Sequence, residues 1–170
     1  MGHYDVAQVC LNGHVINDNY KSSPEFNQDF CDQCGEKTIT ECSSCHELIK
    51  GEYHIKGVFG GIPGYIPPSY CHKCGNAFPW IQTALDSAKE LLDFDESNNN
   101  DDKELLLNSM KEISKDTSKT EVNALKIKKI AKRLGSDTYD AFIKIAVDVG
   151  TEIAKKTLLG SWYLTNQWSQ

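Results

Sequence analysis

Three Cys-x-x-Cys pairs constrain this chain more than any other feature: Cys31 with Cys34, Cys42 with Cys45, and Cys71 with Cys74. The spacing puts two thiolates on one side of a tight turn, which is how a chain delivers two donors to a single tetrahedral metal ion. Gly35 and Gly75 directly follow the first and third pairs and permit the positive φ that such a turn needs; the second pair lacks this glycine. The remaining cysteine, Cys10, lies just before His14, and Gly13 between them can bend the chain so that both side chains face one ion. Seven thiols and one imidazole thus make eight donors, Cys10, His14, Cys31, Cys34, Cys42, Cys45, Cys71 and Cys74, enough for two complete four-coordinate zinc sites.

Four protein donors close a zinc site, whereas a catalytic zinc keeps a position for water or substrate, so both sites are expected to be structural. The odd cysteine count and the short spacings speak against a disulfide framework and for a reducing, cytoplasmic setting. Two pairings of the four donor pairs are open. One is in sequence order, first with second and third with fourth; the other is cross-braced. The long stretches between His14 and Cys31 and between Cys45 and Cys71, each able to form a hairpin, and the short link from Cys34 to Cys42 favour sequence order. His3, His46, His54 and His72 are expected at the surface or beside the ligands, with His46 and His72 as substitutes for His14 if that assignment fails.

Residues 1–80 hold every cysteine, histidine and proline, and nine of the twelve glycines, while residues 81–170 read as helices with polar breaks. The expected architecture is therefore α+β: a tandem zinc-ribbon module of short β-hairpins at 1–80, then a bundle of about four helices at 81–170, with a flexible link near 95–102. Pro79 suits a helix start, and Ile81, Ala84, Leu85, Ala88, Leu91 and Leu92 line one face of the first helix. A second is expected from about Asp102 to Ile113, with Leu106, Met110 and Ile113 inward. A third begins at the capping-box spacing Ser118 to Glu121 and is closed by Gly135. The fourth, from Ser136 to Leu159, is apolar on more than one face, as the centre of the bundle or as an oligomer contact. The tail with Trp162, Tyr163, Leu164 and Trp168 is aromatic enough to dock on its own domain. No stretch reaches the roughly 18 uncharged apolar residues of a membrane span, and the N-terminus lacks a leader pattern.

The strings from Asp5 to His14, from Phe30 to Gly35 with Thr38-Ile39-Thr40, and from Tyr70 to Gly75 with Phe78-Pro79-Trp80 resemble an uncharacterised family of small bacterial zinc-ribbon proteins, known only as a domain of unknown function. The resemblance spans residues 4–80 and continues more loosely through Thr120–Lys132 and Val147–Lys156. It implies bacterial or phage origin, cytosolic location and zinc on the eight positions above, and it implies no reaction.

No nucleophile and base set, phosphate loop or metal-binding His-Glu helix stands at usable spacing, so the chain is expected not to be an enzyme; a hydrolase or nuclease site using His54 with a carboxylate is the weaker alternative. The expected role is a zinc-binding interaction or adaptor protein whose partner is another protein, with a homo-oligomer through the helical half as a further contact. Phe59, Ile62, Tyr65 and Ile66, in a Gly/Pro-rich loop, are candidate partner contacts, although the same loop could simply fold over the metal knuckles. Phe78-Pro79-Trp80 is read as a clamp between ribbon and first helix. The runner-up role is nucleic-acid binding through Lys126, Lys128, Lys129, Lys132 and Arg133 on the third helix. Against it, the net charge is −6 and residues 1–80 carry 9 acidic to 5 basic groups with no arginine.

Overall fold

The computed structural model describes residues 2–57, 64–96 and 99–160. It divides into two compact units, Met1–Gln82 and Thr83–Gln170.

The first unit is built of short strands: β1 (His3–Val6), β2 (Gln8–Cys10), β3 (Val15–Asn17), β4 (Thr38–Ile39) and β5 (Lys50–His54). β2 is the middle of a three-stranded antiparallel sheet, with β3 on one side and β4 on the other, while β1 pairs with β5 in a separate two-stranded ladder. The register sets Val9 opposite both Val15 and Ile39, and Cys10 opposite Thr38. As the centre strand, β2 is buried along its whole length. Val6, Ala7, Val9, Ile49 and Phe78 form a small apolar core that the cysteines Cys10, Cys31, Cys42 and Cys71 complete.

The residues expected to form the clamp lie within the first unit. Phe78 and Trp80 stack with ring centroids 4.7 Å apart and planes within 10°, and both are buried. Trp80, in the first turn of α1 (Pro79–Phe94), covers the Cys10–His14 turn at Gly13.

The second unit contains five helices among the described residues: the greater part of α1, then α2 (Asn100–Ile113), α3 (Thr120–Ile130), α4 (Ser136–Val149) and α5 (Glu152–Leu159). Its core is drawn from one face of each: Leu85, Ala88 and Leu92; Leu106, Met110 and Ile113; Ala124, Ile127 and Ile130; Phe142, Ala146 and Val149; Ala154 and Leu158. The inward trio expected on α2 is fully buried.

Three expectations change. The single helix from Ser136 to Leu159 is broken, because Gly150 and Thr151 are extended and the Thr151 amide donates to the Ile113 carbonyl oxygen, 3.0 Å away, on α2. Only glycine fits that approach, since a Cβ on Gly150 would sit 2.9 Å from the Ala146 carbonyl oxygen. The capping box at Ser118 does not form. α3 starts two residues later, and Thr120 anchors the preceding turn instead, donating to the Lys115 carbonyl and accepting from the Thr117 amide. Gly135 does not close α3, which ends at Ile130 and runs into a 3₁₀ turn at Ala131–Arg133; Gly135 sits before α4 and donates its amide to Asp95.

The link expected at 95–102 includes residues 97–98, outside the described set. On either side of them the chain has structural duties: Asp95 is buried, and the Asn99 side chain caps α2 by accepting from the Asp102 amide at 2.8 Å.

Candidate metal centres

All three Cys-x-x-Cys turns are built alike. In each, the amide of the first cysteine donates to the carbonyl five residues on (Cys31 to Glu36, Cys42 to Glu47, Cys71 to Asn76; 2.8 Å each). The amide four residues on then donates back to the first cysteine's carbonyl (Gly35, His46 and Gly75). A bridge closes each turn between the residue before it and one beyond it, Phe30 with Lys37, Glu41 with Leu48 and Tyr70 with Ala77. The fold thus repeats one hydrogen-bonded knuckle three times.

The backbone at the fourth position after the first cysteine is left-handed in all three, φ 74° at Gly35 and Gly75 and 58° at His46. His46 is the sole described non-glycine residue with positive φ, held there by the knuckle and by its Nδ1 contact with Glu41 Oε1 at 2.8 Å. Replacing it with glycine, His46→Gly, is expected to raise stability by about 0.5–1 kcal/mol in thermal or urea unfolding of the metal-loaded protein; a loss would mean the Glu41 contact outweighs the backbone strain.

The knuckles meet in sequence order. Cys10, His14, Cys31 and Cys34 form one group and Cys42, Cys45, Cys71 and Cys74 the other, with the donor atoms of each within 4.8 Å of one another. In the first, His14 Nδ1 lies 3.5 Å from both the Cys10 and Cys31 sulfurs, and the Cys10 and Cys34 sulfurs are 3.8 Å apart. In the second, Cys42 to Cys74 is 3.8 Å and Cys45 to Cys71 is 3.6 Å. A disulfide needs about 2.05 Å. A tetrahedron with metal–sulfur bonds of about 2.3 Å and metal–nitrogen bonds of about 2.05 Å has edges of about 3.8 Å between sulfurs and about 3.6 Å from sulfur to nitrogen. The observed separations are those of four donors around one ion.

The electrostatics agree. The His14 amide and Asn12 Nδ2 point at the Cys10 and Cys34 sulfurs (3.3 and 3.5 Å). The Glu36 amide pulls the Cys34 thiol down to about 6, while burial pushes Cys10 up to about 11. In the second group, the amides of Cys74 and Lys73 draw Cys71 down to about 7, whereas Cys45, despite the Glu47 amide, is driven to about 12 by burial and its crowded neighbours. Thiols packed this closely cannot all ionise by themselves. A cation at the centre would remove the conflict and hold four deprotonated donors together.

None of the other histidines joins these groups. His46 and His72 face Glu41 and Glu47. His54 Nε2 meets Asn19 Oδ1 at 2.7 Å and stands 3.9 Å from Asp5, whose carboxylate accepts from Ser22 Oγ. Ser22 therefore donates to Asp5 and not to His54.

Among the partner-contact residues, Phe59 and Ile62 lie outside the described residues, as does the aromatic tail. Tyr65 is half-buried and donates to the Lys50 carbonyl, while Ile66 is 72% exposed. The basic stretch is partly spent inside the helical unit. Lys128 Nζ donates to the Thr157 carbonyl near the end of α5 at 3.1 Å, Arg133 pairs with Asp102 at 2.6 Å, and Lys126 reaches Asn123. Lys128→Glu should therefore lower the melting temperature, at a cost of about 1 kcal/mol, where Lys129→Glu on the exposed side leaves it nearly unchanged; equal effects would show that the Thr157 contact carries no weight.

The fold and the two four-donor groups define an α+β protein with a helical unit and a strand module that carries two groups able to hold a metal ion. No described helix is long and apolar enough to cross a membrane. Residues 3–158 match the family described as "Uncharacterized protein conserved in bacteria (DUF2321)", and the chain belongs to it. No curated protein and no solved structure matches the chain.

Proposed function

We propose that this is a non-enzymatic zinc-binding interaction protein of the bacterial cytoplasm, with two structural zinc ions organising the strand module and another protein as its partner. The observation that supports it is the closure of both groups: every cysteine of the chain and one imidazole are taken up in complete sets of four, Cys₃His and Cys₄. Such soft donor sets favour zinc, and a filled tetrahedron has no position at which water or substrate could be activated. The first unit is small for burial alone to hold, so its metals supply stability and not chemistry.

Metal analysis of the purified protein tests the first half, with two zinc ions per chain expected and one or none overturning it. Cross-linking and affinity capture from the native host test the second. A salt-tolerant protein partner supports the adaptor role. Affinity for generic DNA or RNA that falls steeply with salt would replace it with nucleic-acid binding, although engagement of Lys128 and Arg133 within the helical unit weighs against that outcome.

A further inference from the structure

Beside the three-stranded sheet the first unit has an open cleft of about 450 Å³, lined by none of the eight donors. Its apolar lining comes from Val15 and Ile16 on β3, Phe26 on the turn Pro24–Phe26, and Tyr65. Asn17, Gln28 and two carboxylates, Asp18 and Glu25, complete the lining, and among the described residues no lysine, arginine or histidine lines it. Among the described residues neither acid has an ion-pair partner, and the only hydrogen bond given to the Asp18 side chain comes from the neutral amide of Asn19.

The rim is rigid. Asn17, buried beneath it, donates to the Ser23 carbonyl (2.8 Å) and to Asn27 Oδ1 (2.7 Å), while its own oxygen accepts from the Asn19 amide. Gln8, also buried, takes both backbone groups of Gln28, donating to its carbonyl at 2.7 Å and accepting from its amide at 3.1 Å. Pro24 fixes φ at the start of the turn. Phe26 is nonetheless 62% exposed. The turn that carries Phe26 is thus braced on both sides, at Ser23 and at Asn27 and Gln28, and it presents an exposed ring beside two carboxylates that have no ion-pair partner among the described residues, which lowers the ordering cost of binding.

We propose that this cleft takes a lysine or arginine side chain from a basic segment of a partner protein. The aliphatic stem would lie along Val15 and Ile16, and the cationic head would meet the Phe26 ring and the Asp18 and Glu25 carboxylates. The acidic excess of residues 1–80 favours the same kind of partner at long range. The inference rests on the interaction role proposed above and names the chemistry of the partner.

The test is a titration of the zinc-loaded protein with a short labelled peptide carrying alternate lysines and arginines, against a glutamine counterpart. Binding should be saturable, with amide shifts concentrated in residues 15–18 and 25–28. Phe26→Ala should weaken it about tenfold and Glu25→Gln several-fold, whereas Glu104→Gln, an equal change of charge at an exposed position of α2, should not. Phe26 and Glu25 are already solvent-exposed, so both variants should fold. Absence of binding by the native protein overturns the proposal. So does equal weakening by Glu104→Gln and Glu25→Gln with Phe26→Ala silent, which would mean diffuse attraction only. A host partner that binds the Phe26→Ala/Glu25→Gln double variant as tightly as the native protein would overturn the cleft while leaving the interaction role standing.

Discussion

Replacement of Cys42 by serine is expected to leave one metal ion per chain in place of two, and to unfold the second half of the strand module while the helical unit persists. Cys42 is buried, its amide and carbonyl close the second knuckle, and its sulfur faces Cys74 across the group. Serine keeps the knuckle's backbone bonds but offers a poor ligand. The lost metal-binding free energy, roughly 10–16 kcal/mol for a structural zinc, exceeds anything that Ile49 and Phe78 can recover by burial. Native mass spectrometry reads the ion count. Two-dimensional amide spectra should show collapsed dispersion for residues 42–78, with the far-ultraviolet helical signal retained. Two ions still bound, or loss of the helical signal too, would refute the division of labour between the units.

Asp5→Ala should be the costliest change away from the metal groups, at about 3 kcal/mol in chemical denaturation. The carboxylate is buried and accepts four hydrogen bonds, from the amides of Val6 (2.6 Å), Lys21 (3.0 Å) and Ser22 (3.1 Å) and from Ser22 Oγ (2.6 Å). It ties β1 to the turn that leads toward the cleft, and alanine would leave several donors without a partner. Burial by itself raises the carboxyl's pKa, but the Ser22 hydroxyl and the amides of Val6, Lys21 and Ser22 outweigh it, and the net shift is downward from 3.8. The sign follows: a depressed folded pKa stabilises the protein fully above the unfolded value and is lost as pH falls through the folded one. The penalty of Asp5→Ala should therefore be constant through the neutral range. A penalty that disappears at neutral pH, or one under about 1 kcal/mol, would show that the turn is held by other contacts.

The metal donors were readable from spacing because the Cys-x-x-Cys turn is a local structure, in which two donors and the bend between them are neighbours in the chain. The sulfur separations of 3.6–3.8 Å fit that reading, and so does the inward face of α2, where the helical period alone selects Leu106, Met110 and Ile113. What periodicity could not find depends on contacts between distant residues. The break at Gly150 is fixed by the Ile113 carbonyl, far away in sequence, although the pair Gly150-Thr151 is a stop-and-cap signal that apolar residues on both sides obscured. Lys128 read as part of a basic face because its acceptor, a carbonyl of α5, has no signature of its own. Asp5, Gln8 and Asn17 passed unnoticed for the same reason: buried polar side chains that bind main-chain groups of a distant loop follow no repeat. The exposed Phe26 beside Glu25 was open to notice, since Pro24-Glu25-Phe26 is a turn with an aromatic at its end.

The order of the knuckles also bears on how the chain is made. The four donors of the first group end at Cys34, before Cys42 begins the second set. On a growing polypeptide, the earlier ion can be captured and enclosed while the later ligands are still inside the ribosome. An interleaved arrangement would leave half-built sites exposed together and free to exchange donors. In sequence order, the direction of synthesis presents the first four donors as a set before the second four emerge.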